Sequence, residues 1–228
     1  MNVGSATDVG RIRQRNEDAL LVDRERGLFA VADGLGGHPA GDVASNVALE
    51  RVDKVATGSA LTGGASPGEV LATSLQEAHE AVRGAAHEEL GRTGMGTTAV
   101  VAHVEPSETE AWLAHVGDSR AYLLRDGQLR QVTEDHVGPF GGISQALGLD
   151  RVYPDTIHLE VEAGDRLLLC TDGLTDMLND GEIEELARDG SAQDAVDALV
   201  QASLDRGGAD NVTIVLIGIE RGSDHSGA

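Results

Sequence analysis

Short apolar runs that stop at an aspartate recur along this chain, and they restrict it to folds in which several strand ends converge. Leu28-Phe29-Ala30-Val31-Ala32 breaks off at Asp33-Gly34, and Arg166-Leu167-Leu168-Leu169-Cys170-Thr171 breaks off at Asp172-Gly173. Both runs are short, apolar and bounded, the pattern of buried strands. Asp118 follows Gly117 after a third strand pattern, 110 to 116, and Asp210-Asn211 opens the last, 212 to 219. Glu17-Asp18 adds a fifth acidic point. A lone Asp-Gly is usually a β-turn whose side chain bonds its own backbone. Repetition of the form points instead to clustered carboxylates, with Gly34, Gly36 and Gly37 leaving room for close approach of a ligand. Carboxylates without matching Cys or His ligands suit hard cations, Mg²⁺ or Mn²⁺, and not structural zinc. Two such ions roughly 3.5–4 Å apart would activate a water for in-line attack on phosphorus.

Composition narrows the class further. With 228 residues, 40% of them hydrophobic, the chain can bury one good core, and 2% aromatics means that Val, Leu, Ile and Ala must build it. The single Cys170 rules out an intramolecular disulfide framework and fits a reducing compartment. No apolar run follows Met1 and none approaches a membrane span, so the expectation is a soluble, cytoplasmic monomer. A net charge of −22 would repel nucleic acid and anionic membranes. It is awkward for phosphate chemistry unless bound cations reverse the sign locally.

Taken in order, residues 2 to 8 and 19 to 23 read as strands flanking Arg11, Arg13 and Arg15. If that segment is extended the three arginines share one face. They are either a surface loop of weak ion pairs or a guanidinium fork for phosphate. Apolar positions 40, 43, 44, 47, 48, 52 and 55 predict a helix over 39–57. A second helix starts at Pro67 and runs to Leu90, ended by Gly91 or Gly94, with His79 and His87 as surface or groove residues. Strands at 97–104, 110–116, 121–125 and 128–132, the last two joined by Asp126-Gly127, read as an antiparallel meander. Residues 133 to 150 are irregular. Strands at 156–161 and 166–171, helices at 181–188 and 192–206 and the final strand complete one domain, residues 1–220, with 221–228 a polar C-terminal tail.

The blocks Arg13-x-x-Asn16-Glu17-Asp18, Asp33-Gly34-x-Gly36-Gly37-His38, Gly96-Thr97-Thr98-Ala99, Gly117-Asp118-Ser119-Arg120, Thr171-Asp172-Gly173-Leu174 and Asp210-Asn211-Val212-Thr213 stand in one order across nearly the whole chain. Together they resemble the metal-dependent Ser/Thr protein phosphatases of the PPM or protein phosphatase 2C group, bacterial type. The resemblance implies an α+β fold, a four-layer α-β-β-α sandwich of two antiparallel sheets flanked by helix pairs, with metals between the sheet edges. It implies that Asp33 bridges two Mn²⁺ or Mg²⁺ ions, with the Gly34 carbonyl on the second. Asp172 and Asp210 would complete the first ion's shell, and Asp18 would act through bound waters. Glu17 and Asn211 would support them from alongside. Asp118, with Asp172, matches the holders of a third, weaker metal. Arg13 would bind the substrate phosphate while a hydroxide bridging the two ions attacks phosphoserine or phosphothreonine, which makes Arg13 and Asp33 the catalytic pair. The partners implied are phosphorylated proteins, substrates of Ser/Thr kinases.

Two departures stand out. Many eukaryotic members carry a His two residues after the bridging Asp, where this chain has Leu35; His38 would replace it as proton donor only if the turn brings it inward, and a metal-bound water is the expected donor. Bacterial relatives also carry a helical flap where only Val137 to Gln145 separates Asp135-His136 from Ala146-Leu147-Gly148. A nearly absent flap implies a more open channel. It also leaves two alternatives: a phosphoprotein-binding regulatory relative with little turnover, or a phosphatase dedicated to one small regulatory phosphoprotein of the anti-sigma antagonist type.

Overall fold

The apolar run at 28–32 is buried on both of its faces, and that fixes the layering. In the computed structural model, which describes residues 1–35, 40–58, 66–89, 91–105, 107 and 109–220, the run forms β3 (Leu28–Asp33). Its residues alternate between two cores, as period two requires. Leu28, Ala30 and Ala32 pack against Ala44, Ala48 and Val52 of α1 (Gly41–Gly58) and Leu71, Leu75 and Val82 of α2 (Pro67–Glu88). Phe29 and Val31 face Leu167 and Leu169 of β9 (Arg166–Cys170) and Val215 and Ile217 of β10 (Val212–Gly218). A strand covered on both sides has no polar face to alternate with, hence the unbroken apolar sequence.

The remaining described elements are β1 (Asn2–Asp8), β2 (Asp18–Asp23), β4 (Ala99–Val104), β5 (Glu110–Val116), β6 (Arg120–Arg125), β7 (Gln128–Gln131), β8 (Asp155–Glu160), α3 (Asp172–Thr175), α4 (Asp180–Arg188) and α5 (Ala192–Asp205). One antiparallel sheet runs β1-β10-β9-β6-β7 and the other β2-β3-β4-β5-β8. Leu168, Cys170, Ile214 and Leu216 form the outer face of the first sheet, covered by Ile183 of α4 and Val196 and Leu199 of α5. The result is the expected α+β sandwich: helices, sheet, sheet, helices. Cys170 is wholly buried, and burial pushes its thiol up to about 12. Alanines at 30, 32, 44, 48 and 78 let α1 and α2 lie close to their sheet, so truncating a large neighbour such as Leu71 or Leu75 would cost about 2–5 kcal/mol. Helix starts are chemically marked. Ser66 and Glu69 cap α2 reciprocally, with Pro67 at its first turn, and Asn179 and Glu182 do the same for α4.

Several sequence expectations need correction. The meander of strands from 97 to 132 is split between the sheets: β4 and β5 pair in one, β6 and β7 in the other. The chain crosses at Gly117, whose φ of +107° no side chain would tolerate, since a Cβ there would lie 2.6 Å from Thr98. Thr97 and Thr98 precede β4 because their backbone is used elsewhere, Thr97 pairing with both Gly34 and Leu147. The segment from 9 to 17 is a turn-rich loop, not extended, so the arginine alternation does not hold. Helix α2 ends at Glu88. His79 is buried, its Nδ1 accepting from Gly148 N–H at 3.1 Å. Asp172 starts a short helix, α3, that the sequence pattern did not announce. Residues 137–143, in place of a flap, close into a tight hairpin, with Val137 paired to Ile143 and Gly138 N–H donating to Gly142 O at 2.7 Å. Gly36, Gly37, His38, Leu90 and the tail 221–228 lie outside the described residues.

Candidate metal centre

Antiparallel pairing of β2 with β3 sets Asp18 directly opposite Asp33 at one end of their sheet. The other sheet delivers the ends of β9 and β10 to the same place. Thr171 N–H donates to Thr213 O at 3.1 Å, and Thr171 Oγ1 donates across the sheets to Asp18 Oδ2 at 2.9 Å. Asp172 follows Thr171, and its carboxyl lies within hydrogen-bonding reach of Asp33. The turn into α3 presses on β10: a Cβ on Gly173 would sit 1.9 Å from Asn211 O, so only glycine fits there.

Asp33 is held by the Gly-Thr-Thr segment. Its N–H donates to Thr98 Oγ1 at 3.2 Å, and its carbonyl accepts from Thr98 N–H at 2.9 Å and Thr97 Oγ1 at 2.8 Å. Thr98 Oγ1 in turn meets Ser119 Oγ at 2.6 Å, tying the turn that carries Asp118 to the same point. Gly34 N–H donates to Glu17 O at 3.1 Å, and Ser45 Oγ to that same oxygen at 2.6 Å.

Asn211 organises the loop before β2. Its Oδ1 accepts from Glu17 N–H at 2.8 Å, while its Nδ2 donates to Val9 O and Arg15 O, both at 2.9 Å. That loop aims Arg13 at the cluster, with Nη2 donating to Asp210 Oδ2 at 2.6 Å. Arg11 turns away, to Leu204 O at 2.9 Å and Asp205 at 3.7 Å. Of the three arginines, Arg13 is the one hydrogen-bonded to Asp210, while the charge of Arg15 bears on Glu17.

Electrostatics identify what the cluster suits. Burial, partly offset by threonine hydroxyls, pushes Asp18 up to about 7, with the charges of Asp172 and Asp210 adding to it. Burial likewise lifts Asp172 to about 6 and Asp33 well above the usual carboxylate range. Asp18 Oδ1 and Asp172 Oδ1 are buried with no hydrogen-bond partner. Buried carboxylate oxygens without donors are costly unless a cation meets them. Several aspartates, a backbone carbonyl and no thiolate make a donor set for a hard divalent ion, and Asp18, Asp33, Gly34, Asp172 and Asp210 fit one.

Asp118 lies to the side. Its charge bears on Asp172, and its own pKa is raised by burial and by the charges of Asp135 and Asp176. Asp176 is the residue the sequence reading missed. Its charge bears on Asp172 too, and its N–H donates to Asp172 O at 2.8 Å. An Asp-x-x-x-Asp spacing on a helix puts both acids on one face, but that signal needs α3 to be known.

A second group of donors, His115, His136 and Asp155, lies within 4.8 Å of one another. The two rings stack at 4.7 Å, and burial with the neighbouring His136 holds His115 down to about 4. Gly117 N–H donates to His136 Nδ1 at 3.2 Å, which leaves the ring proton on Nε2, 3.2 Å from Asp155 Oδ2. A neutral imidazole with that tautomer has no lone pair for a metal at Nε2. His136 is therefore a strut. Its own N–H donates to Gly117 O at 3.0 Å, clamping the turn that precedes Asp118.

Comparison with known proteins identifies the family of this fold. The family profile for protein phosphatase 2C matches residues 11–212. The serine/threonine phosphatase stp of Listeria innocua is 34% identical over 242 residues, covering 95% of each chain. The crystal structure of a bacterial serine phosphatase superposes with a TM-score of 0.88 at 33% identity, over 98% of this chain and 99% of that one. The catalytic domain of the serine/threonine protein phosphatase PstP, solved in complex with two manganese ions, gives 0.84 at 33% identity, over 94% and 96%. The chain belongs to the protein phosphatase 2C family.

Proposed function

We propose that this protein is a metal-dependent protein-serine/threonine phosphatase. The observation that carries the reading is the meeting of Asp18, Asp33, Asp172 and Asp210 from two sheets, with two buried carboxylate oxygens lacking partners, beside the Arg13 guanidinium. Asp33, Asp172, Asp210 and the Gly34 carbonyl would hold two Mn²⁺ or Mg²⁺ ions, with Asp18 completing the set and Asp118 and Asp176 a third, weaker position. The relative PstP, with its two manganese ions, supports that count. Bound ions supply the Lewis acidity that makes water a nucleophile at neutral pH and offsets charge on the phosphoryl oxygens.

The chain's own residues do the rest. Arg13 orients the phosphate by a planar, bidentate fork, and Asn211 and Glu17 keep that fork in place. Thr97 and Thr98 fix the Asp33 backbone so that its carboxylate need not reorganise during the reaction. Substrates are phosphoproteins, and the strongly acidic surface fits neither nucleic acid nor an anionic membrane. No helix among the described residues is long and apolar enough to cross a membrane.

Hydrolysis of an aryl phosphate and a phosphothreonine peptide with Mn²⁺, with Mg²⁺ and with chelator tests the proposal. Turnover that needs metal and disappears in Asp33→Ala is the expected result. A folded, metal-binding protein without turnover would instead favour a phosphoprotein-binding regulator.

A further inference from the structure

The arginine-rich loop between β1 and β2 offers more than Arg13. Residues 11 to 15 are all exposed, yet the backbone that carries them is firmly held. Arg11 N–H donates to Gly208 O at 2.8 Å, Asn16 Nδ2 to Thr7 Oγ1 at 2.7 Å and Asn211 Nδ2 to Arg15 O at 2.9 Å. Gly10, at a φ of +76°, packs so close to Asp210 that a Cβ would run into its carbonyl oxygen. The loop is a fixed frame that displays its side chains beside the carboxylates.

Its three guanidiniums are used differently. Arg11 is committed to Leu204 O and Asp205, and Arg13 to Asp210. The Arg15 side chain makes no hydrogen bond and no ion pair among the described residues, and its charge bears on Glu17. Arg13 interacts with Asp33 and Asp210 as well as Glu17, so Arg15 stands at the rim while Arg13 points inward. Arg15 also fills one of the unspecified positions of Arg13-x-x-Asn16-Glu17-Asp18, where the pattern gives it no task.

Distance decides what Arg15 can touch. Two residues along the chain put its Cα at most about 7 Å from that of Arg13. An extended polypeptide covers the same span in about two residues. With a phosphate on Arg13, Arg15 therefore reaches side chains within about two residues of the phosphorylated one. The chain carries 39 acidic against 17 basic residues, but at physiological salt charges are screened beyond about 8 Å, so the nearest guanidinium outweighs the distant field. Its planar fork suits a carboxylate.

We propose that Arg15 is a specificity residue that pairs with an acidic side chain beside the phosphorylated residue, so that the favoured substrates are phosphoserine or phosphothreonine flanked by Asp or Glu. The proposal rests on the phosphatase reading, with Arg13 holding the phosphate.

The test measures kcat/KM of the full chain with Mn²⁺, at about 0.15 M salt, on 4-nitrophenyl phosphate and on three phosphothreonine peptides that differ only in glutamate, alanine or lysine at the flanking positions. The unaltered protein should favour the glutamate peptide over the alanine peptide by about two- to fivefold, the effect of one exposed ion pair. The difference should lie in KM, because the pair is the same in ground and transition states. Arg15→Ala should level the two peptides, and Arg15→Glu should make the lysine peptide the better substrate. A ratio between peptides cancels any loss common to all substrates. Ratios that are the same in all three proteins, or no preference in the unaltered one, would overturn the proposal. So would an equal loss on every substrate, the aryl phosphate included, which would make Arg15 a holder of the phosphate or of the loop. Failure of the unaltered protein on all four substrates would remove the phosphatase reading first, and this proposal with it.

Discussion

Asn211→Ala should cost both stability and substrate affinity, because a single buried amide holds the loop that aims Arg13. The change removes three hydrogen bonds, from Glu17 N–H and to the carbonyls of Val9 and Arg15. At about 0.5–1.5 kcal/mol each, with a further cost for leaving the Glu17 amide without a partner, the loss is about 2–4 kcal/mol. For a chain of this length each kcal/mol moves the melting temperature by about 2–4 °C, so Tm should fall by about 5–15 °C. Freed from Asn211, the loop no longer places the guanidinium against Asp210, and KM for an aryl phosphate should rise by about tenfold. Thermal unfolding followed by circular dichroism in chelator gives the first number, and steady-state kinetics at saturating Mn²⁺ the second. A Tm within about 2 °C and kinetic constants within about twofold of the parent would refute the reasoning, since water would then be satisfying the loop as well as Asn211 does.

Asp33→Ala should abolish turnover yet leave the chelated protein at least as stable as the parent, because it removes one member of a group of mutually repelling buried carboxylates; melting in chelator checks this. Asp18 stands at about 7 in the folded protein against about 4 in an unfolded chain, so its contribution is fully present below about pH 4 and is lost as pH rises towards 7. The Tm of the chelated parent should therefore fall relative to Asp18→Asn between pH 5 and about pH 8, and a flat difference would contradict the assignment. His136→Ala should raise the Mn²⁺ concentration needed for half-maximal activity more than it lowers saturated turnover, and His136→Asn, whose Oδ1 can still accept from Gly117 N–H, should restore much of it; calorimetric Mn²⁺ titration reads the same shift without turnover.

Much of the fold was legible because its strands obey period two or are unbroken apolar runs, and its helices carry clear stripes and caps. The clustering of carboxylates was legible for a different reason: one acid after an apolar run is an ordinary turn, but the same form recurring at several strand ends is not. What escaped depended on long-range pairing. Nothing local distinguishes β5 turning back on itself from β5 handing the chain across to the other sheet at Gly117. Alternation over Arg11, Arg13 and Arg15 suggested a shared face, but contacts with α5 and Asn211 turn the loop and separate them. Asp176 was invisible until α3 brought it onto the face of Asp172. The two-threonine segment before β4 looked like strand, whereas its hydroxyls and the Thr98 amide are committed to Asp33 and the Thr97 amide to Leu147 O.

The buried Cys170 offers a way to time the opening of the molecule. Its thiol lies in the central strand β9, paired with Ile214 on one side and Arg120 on the other, two residues from Asp172. A thiol so enclosed, with its pKa pushed up to about 12, is unreactive while the sheet is closed. An alkylating reagent would therefore modify the native chain at the rate at which that sheet opens, with no competing cysteine to blur the signal. Ions held between Asp33 of one sheet and Asp172 and Asp210 of the other would bind only the closed form, and so would slow labelling as their concentration rises. The chain's one sulfhydryl, which faces α4 and α5, would thus report how far cations bound at the strand ends keep the whole molecule closed.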